Sequence, residues 1–439
     1  MSLTIRELKQ KACKAIDENR ERIIGVGDSV YGEPELGYKE FLTAGKVKKV
    51  FDELGIFYRS EVALTGVIAP LKGKESKVKV AVGGELDAVL VSTHPDADPA
   101  TGAVHACGHN CMIAALVGVA YALAGTGIME ELSGDVVFMA LPAEECVEME
   151  YRAGLKEQKK IQFIGGKQEF IKLGEFDDID MMIMQHNIDF KDDKIAAAGN
   201  TYNGFTGKLV RYKGRAAHAG GAPHRGVNAL NAATLGLQAI AMQRETFKDD
   251  DNIRVHSIMT KGGDLVNVIP DDVRLEFMVR GNNLDAILDA SMKVDRALKA
   301  GADALGAEVE IEDVVGYLPV RINNDLMDIM FENQRELLGE DNVLYEADKS
   351  AASTDAGDVS AIIPTLHALF GGCSGDLHSV DFKVTDKEVA YIATAKCLAM
   401  TVIDLLADNA VEALKVKDNF KQLMTKKEYL SNWGKVKIV

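Results

Sequence analysis

The chain has 439 residues, 47% apolar and 27% charged, an ordinary globular mix; at about 100–200 residues per domain its length sets an expectation of two to four domains. Asp and Glu (67) outnumber Lys and Arg (50), a formal net charge of −17 with no basic run to offset it, which disfavours nucleic acid and anionic membrane surfaces as partners. Six scattered cysteines make no disulfide framework, and the charged N-terminal segment has no apolar core of a secretory signal. No stretch approaches the roughly 18–20 apolar residues of a membrane span, so the expectation is a soluble protein of the reducing cytoplasm.

Residues 4–25 pattern as one amphipathic helix, with Ile5, Leu8, Ala12, Ile16, Ile23 and Ile24 on one side. Thr43–Leu54 patterns as a second, stopped at Gly55. Three apolar runs then end in polar residues. Val78–Val82 leads into Gly83-Gly84-Glu85-Leu86-Asp87, Asp135–Leu141 into Pro142-Ala143-Glu144-Glu145, and Met181–Gln185 into His186. Helical stretches Met112–Ala124 and Lys167–Leu173 lie between them. Buried strands alternating with helices predict a parallel-type α/β sheet, which takes ligands at its carboxyl ends.

Past residue 203 the texture changes. Strand patterns at Lys208–Tyr212, Ile253–Thr260, Asp272–Val279 and Glu308–Val314 interleave with helix patterns at Val227–Gln243 and Ala286–Lys299. The order β-α-β-β-α-β is the ferredoxin-like split unit, and about 110 residues suit one small domain. Helix–strand alternation then resumes through Asp325–Leu338, Thr365–Phe370 and a long helix near 385–408. The expectation is an α/β domain of residues 1–202 and 317–439, with an α+β domain of residues 203–316 inserted in it.

Each polar segment has a plain reading on its own. A histidine at a strand end is usually a hydrogen-bonded core residue, and a Glu-Glu pair is usually solvated surface. But Glu144 and Glu145 close a buried strand, and two like charges in a crevice need a cation. Cys107 and His109, around Gly108, offer a thiolate and an imidazole in one tight turn. Thiolate, imidazole and carboxylate together suit Zn²⁺, Co²⁺, Mn²⁺ or Ni²⁺ rather than Mg²⁺ or Ca²⁺. A structural zinc knot would use a closed set in paired spacings such as CxxC, and neither these nor HExxH is present. A thiol protease needs one histidine base with its orienting partner, whereas several His and Glu recur here.

Six segments stand out: Gly84–Asp87, His105–Asn110, Pro142–Glu145, Gln185–Asn187, Gly214–Ala219 and Ser374–Ser379. In this order they resemble peptidase family M20, a family of metallopeptidases and amidohydrolases, and within it subfamily D. That branch carries HACGHD, PAEE, a strand-terminal His, GxxAHA followed closely by Pro, and a late HS. Its members similar to aminobenzoyl-glutamate hydrolase and Xaa-Arg dipeptidase, which carry HACGHN, fit best. Asn110, Glu33–Gly37, Asn267–Asp271 and Ser353–Ser360 match as well, and the resemblance runs from about residue 20 to 405.

The resemblance implies a zinc-peptidase-like catalytic domain whose inserted ferredoxin-like unit is a lid and dimerisation domain. It implies a homodimer with two divalent metal ions (Zn, Mn, Co or Ni) that hydrolyses the amide of an N-acyl or aryl-acyl amino acid or small dipeptide. By position, Cys107, His109, Glu145, His186 and His378 are the implied metal ligands. Glu144 is the implied general base and acid, Asp87 orients a metal-site group, and His218 stabilises the oxyanion. Asn267 and Arg280 are the implied substrate contacts. The rival readings are an amino-acid N-deacetylase using the same site and a catalytically silent binding protein on the same fold.

Three features depart from the family pattern. Tyr31 stands where many relatives have His, Asp87-Ala88-Val89-Leu90 lacks a terminal proline, and the loop after Glu145 is unusually charged, with Glu148, Glu150, Arg152 and the run from Lys156 to Lys160. That loop reads either as a solvated excursion or as a pocket edge that selects substrate. The C-terminal tail holding Trp433 has no counterpart in the pattern.

Overall fold

The computed structural model describes residues 3–433; the remainder of the C-terminal tail lies outside the described residues. The chain forms two compact units. One comprises the segments up to Asn200, Arg321–Lys349 and Asp358–Lys426; the other comprises Thr201–Val320, Ser350–Gly357 and the chain from Lys427.

The first unit opens with α1 (Ile5–Glu18) and α2 (Arg20–Gly32), followed by α3 (Phe41–Glu53). The predicted single helix is therefore two. Thr4 and Glu7 form a capping box that starts α1, and Asn19 ends it by donating its side-chain amide to the Ala15 carbonyl at 2.9 Å. Strands β1 (Arg59–Val62), β2 (Gly66–Leu71) and β3 (Lys79–Glu85) follow, then the two-residue strands β4 (Val89–Leu90) and β5 (Ala103–Val104), which pair with each other. Helix α4 (His109–Leu123) is apolar on every side after its first two residues, His109 and Asn110, and every one of its residues is buried. Next come β6 (Asp135–Leu141), α5 (Met149–Glu157), α6 (Gly166–Leu173), β7 (Met181–Asn187) and β8 (Ala196–Gly199).

The second unit contains β9 (Gly204–Lys213), α7 (Ala229–Gln243), β10 (Arg254–Lys261), β11 (Asp272–Gly281), α8 (Leu284–Leu305) and β12 (Glu308–Val314). Its sheet is antiparallel throughout, in the order β10-β11-β9-β12. Along β11 buried residues alternate with more exposed ones. Its inward side chains (Val273, Leu275, Phe277, Val279) form a core with Ile240 of α7 and Val294 and Leu298 of α8.

The chain continues through α9 (Asn324–Leu338), β13 (Val343–Glu346), α10 (Ala356–Ser360), β14 (Thr365–Phe370) and the ribbon of β15 (Cys373–Ser374) with β16 (Lys383–Val384), reaching α11 (Thr394–Leu406). The first unit's sheet runs β1-β2-β6-β3-β7-β14-β8-β13. Its four central strands, β6, β3, β7 and β14, are parallel, as the sequence predicts. The flanks differ: β2 is antiparallel to β6 and β1, and β8 is antiparallel to β14. The turn from β1 to β2 and the 188–195 connection are too short for parallel crossovers.

Parallel register places Glu85 opposite Leu141, so the polar ends of β3 and β6 open onto the same edge of the sheet. Contrary to expectation, one segment has the length and apolar composition of a membrane span: Glu388–Leu406, 19 residues with mean hydropathy 1.7. Most of it is buried within the fold, as in a core helix.

Candidate metal centre

The turn after β6 does unusual backbone work. Ala143 has φ +55°, a left-handed conformation that costs a non-glycine residue on the order of 1 kcal/mol or more. It is held from several sides. The Ala143 N–H donates to Glu40 Oε1 at 2.8 Å, the Ala143 carbonyl accepts from Gly166 N at 3.2 Å, and the Glu145 N–H donates to Asp87 Oδ2 at 2.9 Å. The turn swings Glu144 and Glu145 out of the strand direction, and both are buried.

The second contribution comes from the loop entering α4. Gly108 takes φ +79°, which glycine alone adopts without strain, between Cys107 and His109. His109 Nδ1 bonds the Asp87 carbonyl at 2.8 Å, and this fixes its ring. His109 Nε2 then lies 3.0 Å from Glu85 Oε2. His186, at the end of β7, is set in the same manner: its Nδ1 meets the Asn187 carbonyl at 3.0 Å and its Nε2 lies 3.4 Å from Cys107 Sγ. His378 arrives from the loop after β15, with Nε2 at 3.3 Å from Cys107 Sγ and 2.8 Å from Glu145 Oε1.

These atoms fall into ligand groups, each spanning no more than 4.8 Å. One is Cys107, His109 and His186; the next is Cys107, Glu145 and His378; a third is Glu85, His109 and Glu144. The first two share the sulfur. Within this cluster His109 Nε2, Asp87 Oδ1 and Glu145 Oε1 are buried without an aligned hydrogen bond, close as their neighbours are. Donor atoms that converge this closely fit a cation, and the sulfur, nitrogen and carboxylate donors fit a borderline transition metal such as Zn²⁺.

Electrostatics point the same way. Burial and Glu145 push the Cys107 thiol up, but His186 and His109 outweigh them and bring it down to about 6. Burial opposes charge on His378, yet Cys107 and Glu145 hold it up at about 11. Burial likewise opposes charge on His109, and Cys107 and Glu85 raise it well above the usual range. Protons on the histidines thus balance a site otherwise dominated by acidic side chains, and divalent cations would displace them.

The structure brings Asp87, Cys107, His109, Glu144, Glu145, His186 and His378 together in the first unit. The other three predicted residues lie in the second unit. His218 is exposed, its Nδ1 accepts from the N–H groups of Gly220 and Gly221, and the Ala219 N–H bonds the Asn267 carbonyl at 2.9 Å. Arg280, on β11, donates to Ser353 Oγ at 2.9 Å and stacks over Phe205. Tyr31, the departure from the family histidine, donates to Asp96 at 2.8 Å. His105 is buried, and burial drives it down to about 3, so it stays neutral.

One residue escaped the sequence reading, and another, Glu85, was marked there without a role. Lys167, at the start of α6, is fully buried and donates to Glu85 Oε1 at 2.6 Å, opposite the oxygen that faces His109. Burial raises the Glu85 carboxyl, but Lys167 and His109 more than reverse this and hold it at about 2. The acidic strand end Gly84–Asp87 signalled Glu85; for Lys167 the only signal was a cation placed just after Phe163, Ile164 and the glycine pair Gly165-Gly166.

Residues 81–403 match the description of peptidase family M20/M25/M40. The chain belongs to that family. The mouse Xaa-Arg dipeptidase is 30% identical over 418 residues, covering 91% of this chain and 89% of that protein. The hippurate hydrolase of Campylobacter jejuni is 28% identical, covering 83% of this chain and 92% of its own length. A Bacillus subtilis structure described as a dinuclear metal binding peptidase from the M20 family superposes with TM-score 0.70 at 22% identity, covering 89% of this chain and 99% of that one. This M20 protein is accordingly a hydrolase of peptide or other C–N bonds.

Proposed function

We propose that the protein is a dinuclear metal-dependent amidohydrolase that cleaves small dipeptides or N-acyl and aryl-acyl amino acids. The observation that carries this reading is the pair of ligand groups sharing Cys107, with Glu144 beside them. Cys107, His109 and His186 would hold one metal ion, and Cys107, Glu145 and His378 the other. Bound there, divalent ions supply Lewis acidity that lowers the pKa of water from about 15.7 towards about 7 and polarises the scissile carbonyl.

The chain's own residues do the rest. Glu144 takes a proton from the attacking water and delivers it to the departing amine nitrogen, a role of about 10²–10⁴ in rate. Asp87 keeps His109 in one tautomer and orientation through the contact at its Nδ1. Lys167 keeps Glu85 ionised beside His109. His218 is assigned to the oxyanion, and Asn267 and Arg280 to the substrate, the planar guanidinium suiting a carboxylate. The reading includes a cytoplasmic homodimer paired through the Thr201–Val320 unit, which serves as the lid.

The test combines metal analysis by mass spectrometry with hydrolysis of alanyl-arginine, N-benzoylglycine and N-acetylcysteine in the presence of Zn²⁺, Mn²⁺ or Co²⁺. Turnover of at least one substrate by the metal-bearing protein is expected, with kcat reduced about 10²–10⁴-fold in Glu144→Gln and metal content unchanged. Preference for N-acetylcysteine would favour the deacetylase alternative. No bound metal, or no turnover of any substrate, defeats the proposal, and near-normal kcat in Glu144→Gln removes that residue's role.

A further inference from the structure

The charged segment after Glu145 is solvated only in part: Glu150, Lys159 and Lys160 are exposed, but its root is enclosed. Arg152 and Leu155 of α5 are buried, as are Ile161, Phe163 and Ile164 behind it. Arg152 is fully buried, which for a guanidinium requires strong compensating contacts. Its Nη1 donates to the Ile164 carbonyl at 2.5 Å, its Nη2 donates to the Glu145 carbonyl, and the group lies 5.4 Å from the centre of the Tyr38 ring. The excursion is therefore tied shut at its root, on the backbone of a residue in the metal cluster. The start of α5 is fastened separately, by Lys39 bonding Glu148 at 2.7 and 2.8 Å.

Gly37 explains part of an early motif. A Cβ there would stand 2.4 Å from Arg152 Nη2 and 3.0 Å from Ala143 Cα. The glycine makes the space in which the guanidinium reaches the turn. With Arg152 in place, the left-handed turn is gripped by three buried ionisable side chains: Glu40 on the Ala143 N–H, Asp87 on the Glu145 N–H and Arg152 on the Glu145 carbonyl.

We propose that Arg152 is a positioning residue that completes a clamp on residues 143–145 and so aims the Glu144 and Glu145 side chains into the ligand groups. The inference rests on the metallohydrolase reading, and its test carries a readout independent of turnover. Apo protein is titrated calorimetrically with Zn²⁺ and with Mn²⁺, and kcat and KM are measured on the best substrate of the panel above. Arg152→Met should weaken metal binding or lower kcat about 10–100-fold while KM stays near the wild-type value. Arg152→Lys should recover part of the loss, and Gly37→Ala, which crowds the guanidinium without removing it, should act in the same direction. Lys159→Ala, an exposed residue just past α5, should match wild type in both measurements.

Wild-type metal affinity and kcat in a folded Arg152→Met variant overturn the proposal. If that variant does not fold, Gly37→Ala decides, and wild-type values there overturn it equally. A wild-type protein that binds metal but hydrolyses nothing defeats the functional reading alone, because metal affinity still judges the clamp. A wild-type protein that binds no metal defeats both.

Discussion

Glu40 offers the sharpest test of how the catalytic turn is held. It is fully buried, with Oε1 accepting from the Ala143 N–H and Oε2 accepting from the Thr65 hydroxyl at 2.6 Å. Burial, and then the charge of Asp87, raise its carboxyl from 4.5 to about 7 in spite of those hydrogen bonds. The sign of the consequence follows from proton counting. Between 4.5 and about 7 the folded protein keeps a proton that the unfolded chain has released, so stability falls as pH rises through that window. The full span is worth about 3 kcal/mol. Glu40→Gln is neutral at every pH and still presents a carbonyl oxygen to Ala143, so it should escape the penalty. Urea unfolding of the metal-free protein, followed by far-UV circular dichroism, measures the difference. The variant should gain on wild type by roughly 2–3 kcal/mol between pH 5 and pH 8. A difference that stays constant across that range would refute the assignment of Glu40 as a buried acid neutral near pH 6.

Two further predictions concern the metal cluster. Lys167→Met strands the buried Glu85 carboxylate and should cost about 3–5 kcal/mol in the same urea experiment, whereas pairing it with Glu85→Gln should recover most of the loss; equal destabilisation in the single and double variants would contradict an ion pair. Cys107→Ser should keep the circular dichroism spectrum and lose most bound metal, because the sulfur belongs to two ligand groups at once; unchanged metal stoichiometry counts against it.

The strand-end clusters were legible because each apolar run stops abruptly at a polar residue. Val78–Val82 stops before Glu85 and Asp87, Asp135–Leu141 before Glu144 and Glu145, and Met181–Gln185 at His186. Parallel register then brings such ends together without further instruction. What stayed hidden is the burial of charge. Lys167 and Glu85 are 82 positions apart, and Arg152 sits in a run of charged residues that reads as surface. Only tertiary packing decides that such a cation is enclosed, and nothing in local periodicity records it. The left-handed φ of Ala143 was equally invisible, because alanine carries no preference for that conformation. The flanking strands escaped for another reason: strand direction depends on connection length, and the apolar pattern does not report it.

The place of β14 in the sheet has a consequence for synthesis. This strand, Thr365–Phe370, lies between β7 and β8, which are made some 170 residues earlier. A nascent chain that has emerged only through β8 leaves the facing edges of β7 and β8 unpaired. It also lacks His378, so one ligand group has no histidine to close it. Throughout translation of the second unit the growing polypeptide carries an open cleft in its main sheet, the period in which exposed strand edges invite association with other chains. Completion of the sheet and completion of the metal cluster are thus events of the last part of translation, separated by only a few residues of added chain.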